Sequence, residues 1–237
     1  MSVVENIINN PFEQKMIQED ILQSIGGGLA YTAKGKKTKN DIENRFRETL
    51  DLHHCHEVEL PVIIDYNQVS MDTMIKRGRL AQCFEIETEM DKKCYLAHTS
   101  EELAATYLSG RDDQVIYQIR SKFRNEPEVN LFRRLEFTML EVYSHSRDDQ
   151  VYHAVKKMLL ETIKELVKSV RINRLDGSDI GIVSEEIFYD LNGTDGVEIG
   201  HFYMMGNTYK KTLGRDGFFA SYGVGIDRLL FCSTIQS

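Results

Sequence analysis

The sequence predicts a mixed α+β fold, a single domain in which helices flank an antiparallel β-sheet. Three features carry that expectation. "QVIYQIRSKFRNE" (114–126) and "LFRRLEFTMLEVYSH" (131–145) are long strand-like runs joined by a short loop, which returns the second strand antiparallel to the first. From Val151, "VYHAVKKMLLETIKELVKSV" sets Val151, Val155, Met158, Leu159, Leu166 and Val170 on one helical face, with lysines and glutamates opposite. Two short strands follow, "EEIFYDL" and "GVEIGHFYMMG", and no repeat, low-complexity tract or linker separates helices from strands.

In chain order, "QKMIQEDILQSIG" reads as a helix stopped by Gly26, and "GGGLAYTAKGKKTKN" as a loop. A second helix reads from Asp41 through "DIENRFRETLDLHH", where Ile42, Phe46 and Leu50 share a face. "CHEVELPVII" alternates as a strand until Pro61 interrupts it, and "DYNQVSMDTMIKRGRL" reads as a short helix and loop. "CFEIETEMDKKCYLAH" is a hairpin turning around Asp91 and Lys92. In "TSEELAATYLSG", Thr99 and Ser100 precede Glu101 and Glu102, the order of a helix start. "NGTDG" is the turn between the two later strands. "GFFASYGVGIDRLLFC" closes the chain as a strand, a glycine pair and the beginning of a helix.

The 237 residues suffice for one domain with a substantial core, and 41% hydrophobic with 28% charged is a globular composition. No apolar run approaches the ~18 residues that span a bilayer. "MSVVENIINN" lacks the basic-then-apolar order of a signal segment, so no membrane partner is expected. Cys55, Cys83, Cys94 and Cys232 stand far apart without a C-x-x-C pair, which points to a reducing, cytoplasmic setting. The net charge of −8 disfavours broad binding to nucleic acid, where Lys and Arg must replace condensed counterions. "LHHCHE" (52–57) gathers His53, His54, Cys55 and His56, but successive strand residues alternate faces, which makes a four-ligand metal site awkward.

Several residues invite a chemical reading. Arg124 and Glu126, two apart in a strand-like run, share a face; alone they fit a surface pair as well as a ligand site. Gly223, Gly225 and Arg228 in "SYGVGIDRLL" fit either a close approach of backbone to ligand or tight packing beside a solvated arginine. Thr99 with Glu101 also fits a helix cap and its box residue, and His201 a satisfied buried histidine.

The combination is more specific than its parts. An F-R-x-E strand, a loop, a return through E-F at Phe137 and a distal G-x-G-x-x-R resemble motifs 2 and 3 of class II aminoacyl-tRNA synthetases. Pro61 sits where motif 1 of that class has its proline. "HTSEE" (98–102) resembles the T-x-E loop of bacterial-type prolyl-tRNA synthetases, and "GVEIGHFYMMGNTYKKTL" (196–213) is similar to their strand and loop before motif 3. "FEIETEMDKKCYLAHTSEE" and "LEFTMLEVYS" match in order and spacing, so the resemblance runs from about Gly28 onward.

The resemblance implies a class II synthetase-type catalytic domain over 1–237, forming an aminoacyl-adenylate from ATP and proline or a small relative such as alanine or cysteine. Arg124 would neutralise the substrate carboxylate and the α-phosphate as they meet, since its planar fork holds two oxygens at once. Glu126 would accept from the adenine amino group, Phe137 would stack under the base, and Arg228 would cover its other face and hold the γ-phosphate. Gly225 would lie against the nucleotide. Mg2+ would bridge the phosphates with Glu198 as its ligand. Thr99 and Glu101 would take the substrate nitrogen, His201 would line the side-chain pocket, and a homodimer would form through motif 1 near Pro61.

Three departures from the family shape the expected acceptor. The chain stops soon after motif 3, leaving no anticodon-binding domain, and one helix with two strands between motifs 2 and 3 leaves no room for an editing domain. The loop "PEVNLFRR" is somewhat shorter than in the family and contains an acid, and Leu135 replaces the arginine of the usual R-E-F. The expectation is therefore a stand-alone ligase whose acceptor is a carrier protein, a metabolite or another protein rather than tRNA. The alternatives are a minimal aminoacyl-tRNA ligase and a non-catalytic paralogue acting as a regulatory subunit.

Overall fold

The computed structural model describes residues 10–25, 28–67, 78–87, 93–111, 114–175, 182–191 and 195–236. In chain order the described elements begin with α1 (Pro11–Gln18), β1 (Leu22–Ile25), β2 (Gly28–Tyr31), α2 (Ala33–Leu52), β3 (His56–Glu57) and β4 (Ile63–Asp65). A 3-10 turn (Arg79–Gln82), β5 (Glu85–Glu87), β6 (Lys93–Leu96), α3 (Glu101–Leu108), β7 (Val115–Phe123) and β8 (Glu136–Ser146) follow. The chain continues through α4 (Gln150–Leu166), β9 (Val170–Arg174), β10 (Val183–Tyr189) and β11 (Val197–Met204). A second 3-10 turn (Gly206–Tyr209), α5 (Lys210–Leu213), β12 (Phe218–Gly225) and α6 (Ile226–Gln236) complete it.

Seven strands form the central sheet in the order β3-β7-β8-β12-β11-β10-β9. Only the short β3 runs parallel to its neighbour; every other pairing is antiparallel. β7 and β8 pair from Val115↔Ser144 to Phe123↔Glu136, and β12 pairs with β8 from Phe218↔Ser146 to Gly225↔Met139. Strand alternation then sorts the side chains into two faces. Tyr117, Leu140, Val142, Phe202, Tyr222 and Val224 meet the apolar stripes of α2, α4 and α6 in one continuous core. On the opposite face, Ile116, Tyr143, Tyr203 and Phe219 are roofed by α3, the second 3-10 turn and α5. That roof stops short of the end where β12 becomes α6, leaving a cleft there.

The mixed α+β architecture and the central antiparallel strands agree with the sequence reading, while several boundaries do not. The run expected to be one helix ending at Gly26 is a helix to Gln18 followed by β1, and the expected loop 26–40 holds β2 and the first turns of α2. Helix α2 starts at Ala33 because the Thr32 side chain accepts the Gly35 N–H at 3.0 Å. Its buried positions run Gly35, Lys39, Ile42, Phe46 and Leu50. The first two are not apolar, so hydropathy sees the stripe only from Ile42.

Val170, expected on the α4 stripe, opens β9 instead, and Tyr152 and Ile163 are buried members of that stripe in its place. The expected turn at Asp91–Lys92, most of the turn expected over 192–196 and most of the short helix and loop expected over 65–80 lie outside the described residues. In "LHHCHE", Cys55 is buried in the core while His53, His54 and His56 are exposed.

The strand expected to carry Arg124 and Glu126 ends one residue earlier, at Phe123. Arg124 N–H still bonds Leu135 O at 2.9 Å, but Asn125 N–H turns away to Gln82 O at 2.9 Å. Pro127, which has no N–H, follows at once and disfavours a continued ladder. Arg124 and Glu126 therefore lie on the loop just beyond β7 rather than on a regular strand face.

Candidate active-site cleft

A cleft opens at the β8–β12–β11 end of the sheet. Arg124, Glu126, Phe137, Glu198, His201, Gly225 and Arg228 all line it, although they come from four separate stretches of chain. Arg124 and Phe137 face one another across the β7–β8 ladder, the guanidinium carbon 5.0 Å from the ring centroid. Arg228 projects from the first turn of α6. Its Nε donates to Phe132 O at 2.8 Å and its Nη1 to Glu198 O at 2.6 Å, with the Glu198 carboxylate 3.6 Å away. Both arginines line the cleft, one beside an aromatic ring and the other held by two backbone carbonyls.

Glycine is required at one point of the floor. A Cβ on Gly223 would stand 2.1 Å from Met139 Cε and 2.4 Å from His201 Cε1. At Gly225 a Cβ would meet only the Arg228 stem at 3.4 Å, so that glycine keeps the floor open rather than relieving a clash. His201 is stacked on Tyr203 at 4.6 Å and 18°, with Nδ1 4.0 Å from Glu198.

Glu198 is the acidic side chain best placed for a cation, and it has company. Burial and then the charge of Glu198 push the Glu186 carboxyl on β10 above its ordinary range, which marks the two carboxylates as neighbours. Mg2+ is commonly held by one or two carboxylates together with phosphates and water, so this donor set fits it. Among the described residues no group of three or more His, Cys, Asp or Glu side chains is placed to hold a metal unaided.

Thr99 and Glu101 do not line this cleft. They lie deeper, 4% and 0% exposed, on the same sheet face. Thr99 Oγ1 donates to Glu141 Oε1 at 3.0 Å, Ser100 N–H reaches the same oxygen at 3.0 Å, and Glu101 Oε1 accepts from Ser221 Oγ at 3.1 Å. Ser100, the residue before α3, makes no side-chain cap bond. These hydroxyls therefore serve a buried polar network rather than a helix cap.

Two groups of residues went unremarked in the sequence reading. The first is that network. Glu141 Oε2 takes Lys122 Nζ at 2.7 Å and Gln118 Nε2 at 2.8 Å, with Lys122 wholly buried. Burial alone would raise the Glu141 carboxyl, but the Lys122 charge and the donors around it hold it below the usual range.

The second group surrounds Asp227. β12 pairs with β8 only as far as Met139, and Asp227 Oδ2 takes the Thr138 N–H, at 2.8 Å, where the ladder ends. Its Oδ1 accepts from Tyr31 OH at 2.6 Å and from Lys39 Nζ at 2.9 Å. One carboxylate thus ties β2, α2, β8 and α6 together directly between Phe137 and Arg228. The signal for both groups was available in hindsight: polar and charged residues at inward positions, Lys39 on the α2 stripe and Gln118, Lys122 and Glu141 on the sheet face.

A seven-stranded, largely antiparallel sheet with a cleft where its last strand becomes a helix defines the scaffold. Residues 32–199 match the family described as tRNA synthetases class II (D, K and N). The chain belongs to that class II tRNA synthetase family.

Its curated relatives are proline–tRNA ligases. The Treponema denticola enzyme is 25% identical over 179 residues, covering 70% of this chain and 30% of its own. The Caldicellulosiruptor bescii enzyme is 26% identical over 204 residues, 78% and 35% respectively. The chain thus spans about a third of the length of the curated relatives it matches. Among solved structures, Giardia lamblia prolyl-tRNA synthetase in complex with prolyl-adenylate superposes with a TM-score of 0.83 at 16% identity, covering 94% of this chain and 51% of that one. Prolyl-tRNA synthetase from Cryptosporidium parvum, complexed with halofuginone and AMPPNP, gives 0.79 at 13% identity. The core is prolyl-tRNA synthetase-like, and its antiparallel sheet is the class II sheet.

Proposed function

We propose that residues 1–237 act as one catalytic domain that activates an amino acid with ATP, forming an aminoacyl-adenylate and releasing pyrophosphate. The observation that carries this reading is the convergence of Arg124, Glu126, Phe137, Glu198, Gly225 and Arg228 on one cleft. Activation brings a carboxylate against a phosphate, so fixed positive charge must neutralise two anions at once. Arg124 supplies it at the reacting centre and Arg228 at the polyphosphate. Phe137 offers the platform for the base, Glu126 the acceptor for its amino group, and Gly225 room for close approach. Mg2+, with Glu198 as ligand, would supply charge neutralisation on the phosphates.

Thr99, Glu101 and His201 belong to the amino-acid end of the same face. Proline, or a small relative such as alanine or cysteine, is the proposed substrate, supported by the T-x-E loop and by the relatives' printed activity. For the acceptor we favour a carrier protein over tRNA. The chain is acidic, and the loop between Arg124 and Leu135 carries Glu126 and Glu128 and presents Val129 and Leu135 to solvent. The tRNA reading is favoured by relatives named as proline–tRNA ligases.

ATP–pyrophosphate exchange against a panel of amino acids tests the proposal. Exchange with proline or one small amino acid is the expected result, and acceptor labelling then separates carrier protein from tRNA. Exchange with no amino acid would leave the chain a regulatory subunit.

The same reading includes a homodimer through the segment around Pro61. Leu52 and Ile63, 77% and 54% exposed, flank that segment and support an apolar contact there. Sedimentation at micromolar concentration should show a dimer; a monomer would remove this part of the proposal. A cytoplasmic setting suits four buried cysteines, none of which forms a disulfide. Among the described residues no helix is long and apolar enough to cross a membrane.

A further inference from the structure

A strand-to-strand loop keeps one shape only if something ties it down, and the turn at 130–133 is tied twice. It first closes on itself. Asn130 and Arg133 exchange backbone bonds at 3.0 and 3.1 Å, and Asn130 Oδ1 takes the Phe132 and Arg133 N–H groups at 2.9 and 3.0 Å. The Leu131 N–H is left out of those bonds, and the Glu13 carboxyl on α1 accepts it.

Neighbouring contacts bind the same junction. The Phe12 ring meets Phe132 edge-on at 6.1 Å, and Phe132 meets Phe231 of α6 at 6.3 Å. Leu131 is buried in the core that also holds Met16. Helix α1 is itself fixed at both ends: Asn10 caps it by accepting the Phe12 N–H at 2.9 Å, and Lys15 Nζ donates to Ile235 O on α6 at 2.9 Å.

What the turn offers the cleft is a carbonyl. Phe132 O lies one residue beyond the amide that Glu13 holds, and it accepts from Arg228 Nε, while Glu198 O accepts from Nη1. A planar guanidinium bonded through two nitrogens to two separate stretches of backbone is held in one orientation. Without Phe132 O it could pivot about the other bond. Glu13 does not line the cleft; it is 1% exposed, and its Oε2 has no hydrogen-bond partner among the described residues. Burial pushes this carboxyl above its ordinary range, against the pull of the Leu131 amide.

We propose that Glu13 is a positioning residue for Arg228, acting through the Leu131–Phe132 turn, so that the N-terminal helix sets the grip on the nucleotide. The inference rests on the assignment of Arg228 to ATP in the reading above, and its test includes a readout that needs no ATP.

The experiment compares the wild-type chain with Glu13→Gln, which keeps the shape and an acceptor oxygen, and Glu13→Leu, which strands a buried N–H. Urea unfolding checks that each is folded. The Arg228 Nε–H should give a slowly exchanging NMR signal in the wild type and in Glu13→Gln. In Glu13→Leu it should exchange about 10-fold faster, the worth of one hydrogen bond. The calorimetric Kd for ATP should rise by about the same factor in Glu13→Leu, with amino-acid binding unchanged. In an Arg228→Ala background that rise should vanish, because Glu13 acts through the arginine. A purely structural role would move the unfolding midpoint without this pattern. Glu13→Ala, which lets water reach the freed amide, is the milder variant and should shift the same readouts in the same direction. An unchanged Arg228 Nε–H signal in the folded Leu or Ala variant would overturn the inference, as would an ATP loss that persists in full without Arg228. If the wild type binds no ATP, the activation reading falls alone and exchange at Arg228 still decides the role of Glu13.

Discussion

Arg124→Ala is expected to reduce ATP–pyrophosphate exchange by about 10²–10³-fold or more while the protein still unfolds cooperatively near the wild-type denaturant midpoint. The size follows from what the side chain would do: removing one preorganised donor from a developing anion costs that much in turnover. The small effect on stability follows from where it sits. Arg124 lies beyond the end of β7, outside the strand ladder, and its guanidinium stands 5.0 Å from the Phe137 ring, a contact worth about 0.5–1 kcal/mol. Arg124→Lys is a sharper probe, because it keeps the charge and loses the planar fork that grips two oxygens. It should recover only part of the exchange. Near-normal exchange by Arg124→Ala would refute its assignment to the reacting centre.

The second large effect is on stability and lies one layer deeper. Glu141→Leu should destabilise the chain by about 3–5 kcal/mol, because it leaves the Lys122 ammonium wholly buried with Ser100 Oγ as its described partner. The double variant Glu141→Leu/Lys122→Met should regain most of that loss, since the desolvation cost disappears with both charges. Urea unfolding measures both; a single-variant cost below about 1 kcal/mol would sink the claim.

The same pair gives the protein a signature in acid. Glu141 titrates below an unfolded glutamate, held there by Lys122 and its hydrogen-bond donors against the effect of burial. Its stabilisation is therefore complete above the unfolded value of about 4.3 and is lost as pH falls through the folded value. In Glu141→Gln this acid-dependent loss should be absent, so its stability curve should be flatter than the wild type's below about pH 4.3.

Much of the cleft was legible because its chemistry is local in sequence. Arg124, Glu126 and Phe137 sit on two adjacent runs whose spacing implies a hairpin, and Gly223, Gly225 and Arg228 sit on one strand-to-helix junction. What escaped was the polar layer behind them. Lys39 looks like a solvated lysine in a lysine-rich segment, and only the fold brings Asp227 within 2.9 Å of it from 188 positions away. Glu141 and Gln118 read as the polar members of alternating strands, whereas α3 covers that face and buries them to 1% exposure.

Element boundaries failed for a related reason. The first turns of α2 present glycine and lysine inward, so apolar periodicity, the main helical signal, is missing there although the Thr32 cap is present. Val170 kept the spacing of the α4 stripe but lies past the helix end at Leu166, where the chain straightens to pair with β10.

By itself, the sequence determined the class of fold, the antiparallel hairpin, and residues that the fold gathers at one cleft. These depend on spacing along one or two segments, which periodicity and turn chemistry report directly. The tertiary structure alone decided that Thr99 and Glu101 are buried in a polar network beyond the cleft, and that Asp227 and Glu141 replace missing ladder and solvent partners. Those facts depend on strand order and register, and each pairing joins residues dozens of positions apart, which no local pattern encodes.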